Sequence, residues 1–518
     1  MSSDLKGCIR EQKLAFKNGN AELVKEKRCE LRSKLKRAKI EYKDKVEHHY
    51  FSGNAKKAWE GLNAMMGRET KQKHTPLSHP SPSFANDLNV FFSRFDKNDF
   101  SAERDSVCSS IPEYVPITLN EHEIVASLSC IKPNSAPGPD GLRGRVLKEN
   151  IHELKGILLE LFQYLLDSLT MPSAWKMSCI VPLPKKPGAT ELKDFRPIAL
   201  TSILGKCFER VIARQITGSV SNCFDHLQFA YKSQRGTDDA TVSLVNTLTK
   251  HIQVPTHFAR VLFIDFTSAF NSMQIHTLLQ RLIDIGVNGG IIHLVRDFLS
   301  NRPQQVRVNE TRSDTTVLNT GAPQGTILSP LLFSLYTNEF QLDQEKFSLF
   351  KYADDMALVA LLKKGDIVGE EAYRGHVSSL QSWCDVSSLD INITKTKELV
   401  IYEKDPVQPL SMKGHNVEIV NNFKYLGSII DSNLNFSDNT DNIFKSCNQR
   451  LHLLRRLNSF RVSKNIMETV YKNLIEGILT FNMAMWYGNL NMECRGKLQR
   501  IVNLASKMIG KTQKQLPP

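Results

Sequence analysis

No CxxC pair occurs among the ten cysteines, which excludes zinc ribbons and knuckles. No apolar run is long enough to span a bilayer. The most apolar late stretch, Leu474 to Trp486, is short and carries Glu476. No N-terminal apolar segment resembles a signal peptide. With free thiols, this reads as an intracellular chain of the nucleus and/or cytoplasm, with no membrane partner. Internal repeats and long low-complexity tracts are also absent, which excludes solenoid arrays. Acids are in deficit: 54 Asp and Glu face 67 Lys and Arg, a formal net charge of +13. Such a balance suits a polyanionic partner, because each cation near a phosphate releases a condensed counterion.

What is present is a long chain with ordinary core material. Its 518 residues, 41% apolar and 23% charged, suit a soluble globular protein of two or three units. Residues 1–73 hold 19 Lys and Arg against ten Asp and Glu, and so carry most of the net charge. Within them Val24, Leu31, Leu35, Ala38, Tyr42 and Val46 recur at helical steps, which predicts an amphipathic helix over Ala21–Tyr50. Its basic side is either a solvated face or an arm that contacts nucleic acid. His74 to Ser83 contains three prolines and predicts an extended linker. A mixed α/β pattern follows from Leu119 to about Asp431. Asn442 to Gly510 reads as helical, with Leu451, Leu454, Ile466, Val470, Leu474 and Ile475 marking apolar faces.

Two carboxylate placements are anomalous. Val261-Leu-Phe-Ile-Asp-Phe266 reads as a buried central strand containing one acid, Asp265. Burying an unpaired carboxylate costs several kcal/mol, so that acid needs a partner. Later, Phe347 to Tyr352 and Met356 to Leu361 read as strands joined by Ala353-Asp354-Asp355. Aspartates suit a plain hairpin turn, but two adjacent acids repel, and a hard divalent cation would relieve them. One strand aspartate and a hairpin aspartate pair together are what two-metal phosphoryl transfer requires.

At this point the chain resembles a known family. Tyr352-Ala-Asp-Asp355 is similar to the YxDD box of reverse transcriptases, and Phe263-Ile-Asp265 through Phe270 to their first palm motif. Asn134-Ser-Ala-Pro-Gly-Pro-Asp-Gly141 resembles a segment found ahead of the fingers in non-LTR elements. Trp175-Lys176 through Pro184-Lys185-Lys186 resembles the first fingers strands. Asp194-Phe-Arg-Pro-Ile-Ala-Leu200 resembles the xxRPISL block, with Ala199 where Ser is usual. Gly321-Ala-Pro-Gln-Gly325, running into Ser329-Pro-Leu-Leu-Phe333, resembles GxPQGxxLSPLLF. Asn392-Ile-Thr-Lys-Thr396 resembles NxxKT, and Phe423-Lys-Tyr-Leu-Gly427 the FxYLG primer grip. Eight blocks in order are specific, and their forms point to LINE-type retrotransposons, chicken-repeat-like or fish-type.

The resemblance implies an α/β (α+β) right-hand polymerase with fingers, palm and helical thumb. The expected divisions are a basic helical segment at 1–73, a linker at 74–115, a fingers extension at 116–165, fingers and palm at 166–432, and a thumb at 433–518. It implies RNA-directed DNA synthesis with RNA template, DNA primer and dNTPs as partners and two Mg²⁺ ions, or Mn²⁺ in their place. Asp265, Asp354, Asp355 and the Phe266 carbonyl become the metal ligands. Lys185, Lys186, Arg196, Gln324 and Gly325 become nucleotide contacts. Phe270 becomes the floor under the sugar that excludes a 2′-hydroxyl. Lys395 becomes either a proton donor to pyrophosphate or an electrostatic aid, and Phe423, Tyr425, Leu426 and Gly427 the primer grip. Residues 1–73 are too few for the endonuclease of a full element, a fold of roughly 200 residues. The expectation is therefore a polymerase portion without the endonuclease. The competing reading is a silent, truncated or host-adopted copy that binds RNA.

Ser329 is read as the N-cap of a helix whose first turn holds Pro330.

Overall fold

Short apolar runs between turn residues set the strands. In the computed structural model, described over residues 3–19, 21–68, 82–220, 223–403 and 405–510, the first are β1 (Ser178–Pro184), β2 (Phe195–Leu200), β3 (His257–Ile264), β4 (Arg302–Val308), β5 (Thr311–Arg312), β6 (Thr316–Leu318) and β7 (Phe347–Tyr352). There follow β8 (Asp355–Lys363), β9 (Lys397–Ile401), β10 (Ser411–Met412), β11 (His415–Asn416), β12 (Glu418–Val420), β13 (Asn422–Tyr425) and β14 (Ser428–Asp431). The chain divides into two units, one of residues 75–434 and one of 1–74 with 435–518.

The first unit is built on a five-stranded sheet in the order β12-β9-β3-β8-β7. Its centre, β3, is buried from Phe258 to Ile264, as an apolar run covered on both faces must be. Arg260 sits on this strand with no exposed surface. Glu398 grips it at 2.8 and 2.9 Å and Glu370 at 2.6 Å, so its charge is paired and hydrogen-bonded. Helices Ile203–Val220, Ile275–Asp284, Gly289–Leu299, Leu328–Tyr336 and Ile367–Val386 contribute to one apolar core with this sheet. A second sheet runs β2-β1-β4, with β5 and β6 both paired to β4. The mixed α/β class is therefore the one expected.

The expected linker differs. Residues 74–81 lie outside the described residues, but Pro82 opens a helix to Ser93, and Ser101–Cys108 is helical too. The prolines obscured a helical apolar spacing: Ala85, Leu88 and Phe92 pack with Ile180, Phe195, Val306 and Val308. Helix Ile151–Ser168 also runs through the division expected at 165.

The helix at Leu328–Tyr336 begins one residue before Ser329, with Ile327 as its N-cap residue and no side-chain bond from it. Ser329 is thus not the cap. Its hydroxyl pairs with Thr326 Oγ1 at 2.6 Å, while Glu209 Oε2 accepts the N–H groups of Ile327 at 2.6 Å and Leu328 at 3.0 Å. A distant carboxylate does the work that the local sequence assigned to serine.

In the second unit, Ala21–Phe51 is one helix, as its periodicity predicts. Val24 and Val46 are buried, but Leu35 and Tyr42 are exposed, so its apolar stripe is only partly covered. The N-terminal segment is not independent of the C-terminal helices, because Glu47 accepts the Ser463 N–H at 2.7 Å and Tyr50 bonds Thr469 at 2.8 Å. Of the C-terminal apolar positions, Leu451, Leu454, Ile466, Val470 and Ile475 are buried; Leu474 is only half-buried in a turn of π-helix at Lys472–Glu476. Among the described residues no helix is long and apolar enough to cross a membrane.

Candidate active site

β3 ends at Ile264, which pairs with Met356 of β8. One residue further along each antiparallel strand stand Asp265 and Asp355, so the two acids are neighbours across a strand spacing of about 4.8 Å. β7 and β8 close on a two-residue turn, Ala353–Asp354, with Tyr352 paired to Asp355. Ala353 takes a left-handed φ of +58°, which a residue with a Cβ adopts at a cost of about 1–2 kcal/mol. Thus the strand acid and the hairpin pair come together as the sequence implied.

A neighbouring segment braces that turn. Gln228 is buried, and its Oε1 accepts the N–H groups of Ala230 at 3.0 Å and Ala353 at 3.3 Å. Backbone bonds Phe229 N–H to Lys351 O and Lys351 N–H to Leu227 O, both 2.9 Å, lay this segment alongside β7. Lys351 is buried and ion-paired to Asp225 at 2.8 Å. Gln228 belongs to none of the motifs, and nothing in the sequence around it marks its role.

The Asn392–Thr396 block holds the other acid. Asn392 N–H bonds the Asp265 carbonyl at 2.8 Å, and Asp265 N–H reaches Thr396 Oγ1 at 3.3 Å. Thr267 N–H bonds Asp390 O at 2.8 Å around a bridge between Phe266 and Ile391. By strand alternation this leaves the Phe266 carbonyl on the opposite edge, toward β8. Lys395, carried on the same turn, sets its ammonium 3.3 Å from Asp265 Oδ2, an oxygen that makes no hydrogen bond.

The electrostatics suit a cation. Burial raises the Asp354 carboxyl above its usual range, and the Asp265 charge adds to this. Asp355 is pushed up to about 6 by burial, then by the charges of Asp354 and Asp265. Asp354 and Asp355, which still reach solvent, and the half-buried Asp265 together form a hard-oxygen donor set for a divalent ion. Their oxygens do not converge as tightly as a ligated set. Among the described residues the one trio within 4.8 Å is Cys8, Glu11 and Glu30, and there the Lys27 and Lys34 ammonium groups already supply the positive charge.

Hairpin β13–β14 closes one side. Its turn places Leu426 at φ +44° and Gly427 at +94°, as a primed two-residue turn needs. Phe423 stacks on Phe263 at 4.2 Å between centroids, with Tyr425 at 5.2 Å. Burial, and then the charge of Asp355, push the Tyr425 phenol far up. The resulting cleft of about 530 Å³ is lined by Asp265, Asp355, Lys395, Phe423 and Tyr425 among others.

The other predicted residues lie on β2 and the loop before the helix at Leu328. Arg196 is exposed on β2, with its charge acting on Asp354. Lys185 donates to Lys193 O at 2.7 Å, while Lys186 is ion-paired with Asp194 at 2.9 Å. The Gln324 carbonyl takes the Ala199 N–H at 2.7 Å. A Cβ on Gly325, whose φ is +118°, would meet the Ala199 carbonyl at 2.9 Å, so glycine is required there. Phe270 stacks on Phe333 at 4.6 Å, and its carbonyl accepts Ala322 N–H at 2.8 Å.

Residues 183–430 match the family model described as reverse transcriptase (RNA-dependent DNA polymerase). The chain is 27% identical over 430 residues to the "Probable RNA-directed DNA polymerase from transposon BS" of Drosophila melanogaster, covering 78% of this chain and 46% of that protein. It is 24% identical over 425 residues to the "RNA-directed DNA polymerase from mobile element jockey" of the same fly, covering 78% and 46%. It is 23% identical over 398 residues to the "Putative 115 kDa protein in type-1 retrotransposable element R1DM", covering 76% and 38%. The chain thus spans less than half the length of these relatives.

Proposed function

Residues 183–430 belong to the reverse transcriptase (RNA-dependent DNA polymerase) family, and from that premise we propose that this chain is the polymerase portion of a non-LTR retrotransposon protein, extending a DNA primer with dNTPs on an RNA template. One observation carries the reading: the Ile264–Met356 register sets Asp265 beside the Asp354–Asp355 hairpin.

Asp265, Asp354, Asp355 and the Phe266 carbonyl are the groups that would hold two Mg²⁺ ions, or Mn²⁺ in their place. Such ions, when bound, supply activation of the primer 3′-hydroxyl and charge neutralisation at the leaving pyrophosphate. The remaining work falls to the chain. Arg196 and Lys185 present cations to the triphosphate, since a guanidinium matches phosphate geometry. Lys186 contributes less, its charge being engaged by Asp194. Lys395, whose ammonium lies 3.3 Å from Asp265, gives positive charge or a proton to the pyrophosphate. Gln324 and Gly325 shape the wall beside the nucleotide, and Phe270 forms the floor under its sugar. Phe423, Tyr425, Leu426 and Gly427 hold the primer terminus over the cleft.

The test is primer extension on an RNA template by the wild-type chain and by Asp354→Asn. The substitution keeps shape and removes one charge, so extension should fall by several orders of magnitude while thermal unfolding is little changed. Extension at near wild-type rate by the variant would refute the site. A wild-type chain that binds RNA without extending any primer would favour the silent copy.

A further inference from the structure

Arg94 follows the helix Pro82–Ser93, in the stretch that reads as linker from sequence. The helix is fixed in place. Beyond its apolar contacts, Asn89 donates to Asp314 O at 3.0 Å and Thr316 Oγ1 at 2.9 Å, and accepts from Gln304 at 2.9 Å. Arg94 therefore leaves a rigid support. Its guanidinium lies 3.9 Å from the Phe91 ring centroid and 4.2 Å from that of Phe95. One nitrogen donates to Phe91 O at 2.5 Å and another to Ser268 Oγ at 3.4 Å.

Two features set this arginine apart from a packing residue. Among the described residues no carboxylate forms an ion pair with it, although it is half-buried. A desolvated cation held between two rings and bonded only to neutral oxygens has part of its donor fork free for an anion. The second feature is its address. Ser268 takes a left-handed φ of +57°, starts the short helix that carries Phe270, and stands three residues after Asp265. The positive field is shared as well: the Lys185 ammonium is lowered first by burial, then by the like charges of Lys395 and Arg196, with Arg94 adding to them. Lys185 is thus within reach of cations from three other segments, of which Lys395 lies at Asp265 and Arg196 acts on Asp354.

We propose that Arg94 is a further polyphosphate-binding residue, contacting the triphosphate of the incoming nucleotide from the Ser268 turn. This rests on the polymerase reading above. A nucleoside triphosphate brings about four negative charges, and the family's motifs account for only part of the cations that meet them here. The aromatic clamp holds the guanidinium in place before the ligand arrives, so less rotamer entropy is lost on binding.

The experiment measures binding of inorganic tripolyphosphate by calorimetry and steady-state dNTP incorporation, on the full chain and on Arg94→Ala and Arg94→Lys. In Arg94→Ala, tripolyphosphate affinity should fall about tenfold or more, as for loss of a charge-assisted contact. The KM for dNTP should rise in parallel, with kcat changed less and primer–template affinity unchanged. Arg94→Lys, which keeps the charge but not the fork, should recover part of the loss. If Arg94→Ala leaves tripolyphosphate affinity and KM unchanged, the proposal is wrong. If it weakens primer–template binding alone, Arg94 contacts the template strand, and the proposal is equally overturned. A loss in Arg94→Ala with no recovery in Arg94→Lys and a lowered unfolding temperature in both would make it a packing residue. Failure of the wild-type chain itself to extend a primer is a separate result, and counts against the polymerase reading.

Discussion

Gln228 Oε1 accepts the backbone N–H of Ala353, 3.3 Å away, at the left-handed turn that presents Asp354. The same oxygen takes the N–H of Ala230. One buried side-chain atom therefore ties the Asp354–Asp355 hairpin to a segment more than a hundred residues earlier. Gln228→Ala should leave two buried donors without acceptors and cost about 2–3 kcal/mol of stability. It should also raise the Mg²⁺ concentration needed for half-maximal extension, because the turn no longer holds Asp354 in place. Unchanged stability and an unchanged Mg²⁺ requirement would show that the turn holds itself.

Glu209 gives a prediction in pH. Its carboxyl is fully buried and pushed up to about 7 by burial, against the lowering effect of the two N–H groups it caps. An unfolded glutamate titrates near 4.5, so between about 4.5 and 7 the folded chain holds a proton that the unfolded chain has lost. Stability from this group is therefore complete below the unfolded pKa and declines as pH rises through the folded one, by on the order of 3 kcal/mol. Glu209→Gln keeps the acceptor oxygen and removes the charge. The difference between wild-type and Glu209→Gln unfolding free energies should fall steadily across that window. A flat difference would mean that the carboxylate is ionised and well compensated.

The helix Ala21–Phe51 carries Arg28, Arg32 and Lys36 exposed at four-residue steps. If this stripe contacts RNA, replacing all three with Ala keeps the helix, since Ala is its best former. The slope of log affinity against log salt should flatten by about 2, at roughly 0.7 per phosphate contact for single strands. Deleting the whole segment is the poorer experiment, because Glu47 and Tyr50 support the C-terminal helices. An unchanged slope would make the stripe a solvated face.

The sequence made the acids legible through a local conflict: Asp265 in an apolar run, Asp354 and Asp355 in adjacent positions. Glu209 carries the same signal, a lone acid among Cys207, Phe208, Val211 and Ile212, and could have been found by it. Arg94 and Gln228 carry none. An arginine beside phenylalanines reads as an amphipathic helix end, and a glutamine in a turn segment reads as surface. What gives each its meaning is the strand or turn it meets more than a hundred residues away. The Ser329 cap failed for the same reason, since the acceptor at that helix end is the distant Glu209. The start of that helix is set by this long-range contact, which periodicity along the chain does not record.

Phe270 discriminates best between polymerase classes, and the structure sharpens how. Its ring is stacked on Phe333 at 4.6 Å with an interplanar angle of 29°, and its backbone is tied to Ala322. If the ring is the floor under the sugar, as proposed, this stacking resists its displacement by a bulkier sugar. Excluding a 2′-hydroxyl needs that rigidity as well as bulk. Phe270→Ala should admit ribonucleotides, while dNTP incorporation falls modestly from lost contact area. The discrimination at stake is about a few kcal/mol, each 1.4 kcal/mol being about tenfold. Phe333→Leu should give a smaller change in the same direction, because it loosens the support and leaves the floor in place. The measurement is the ratio of kcat/KM for dNTP and rNTP in the three proteins. If Phe270→Ala does not move the ratio, the ring is core packing only. If the wild type itself prefers rNTPs, the assignment to DNA synthesis fails.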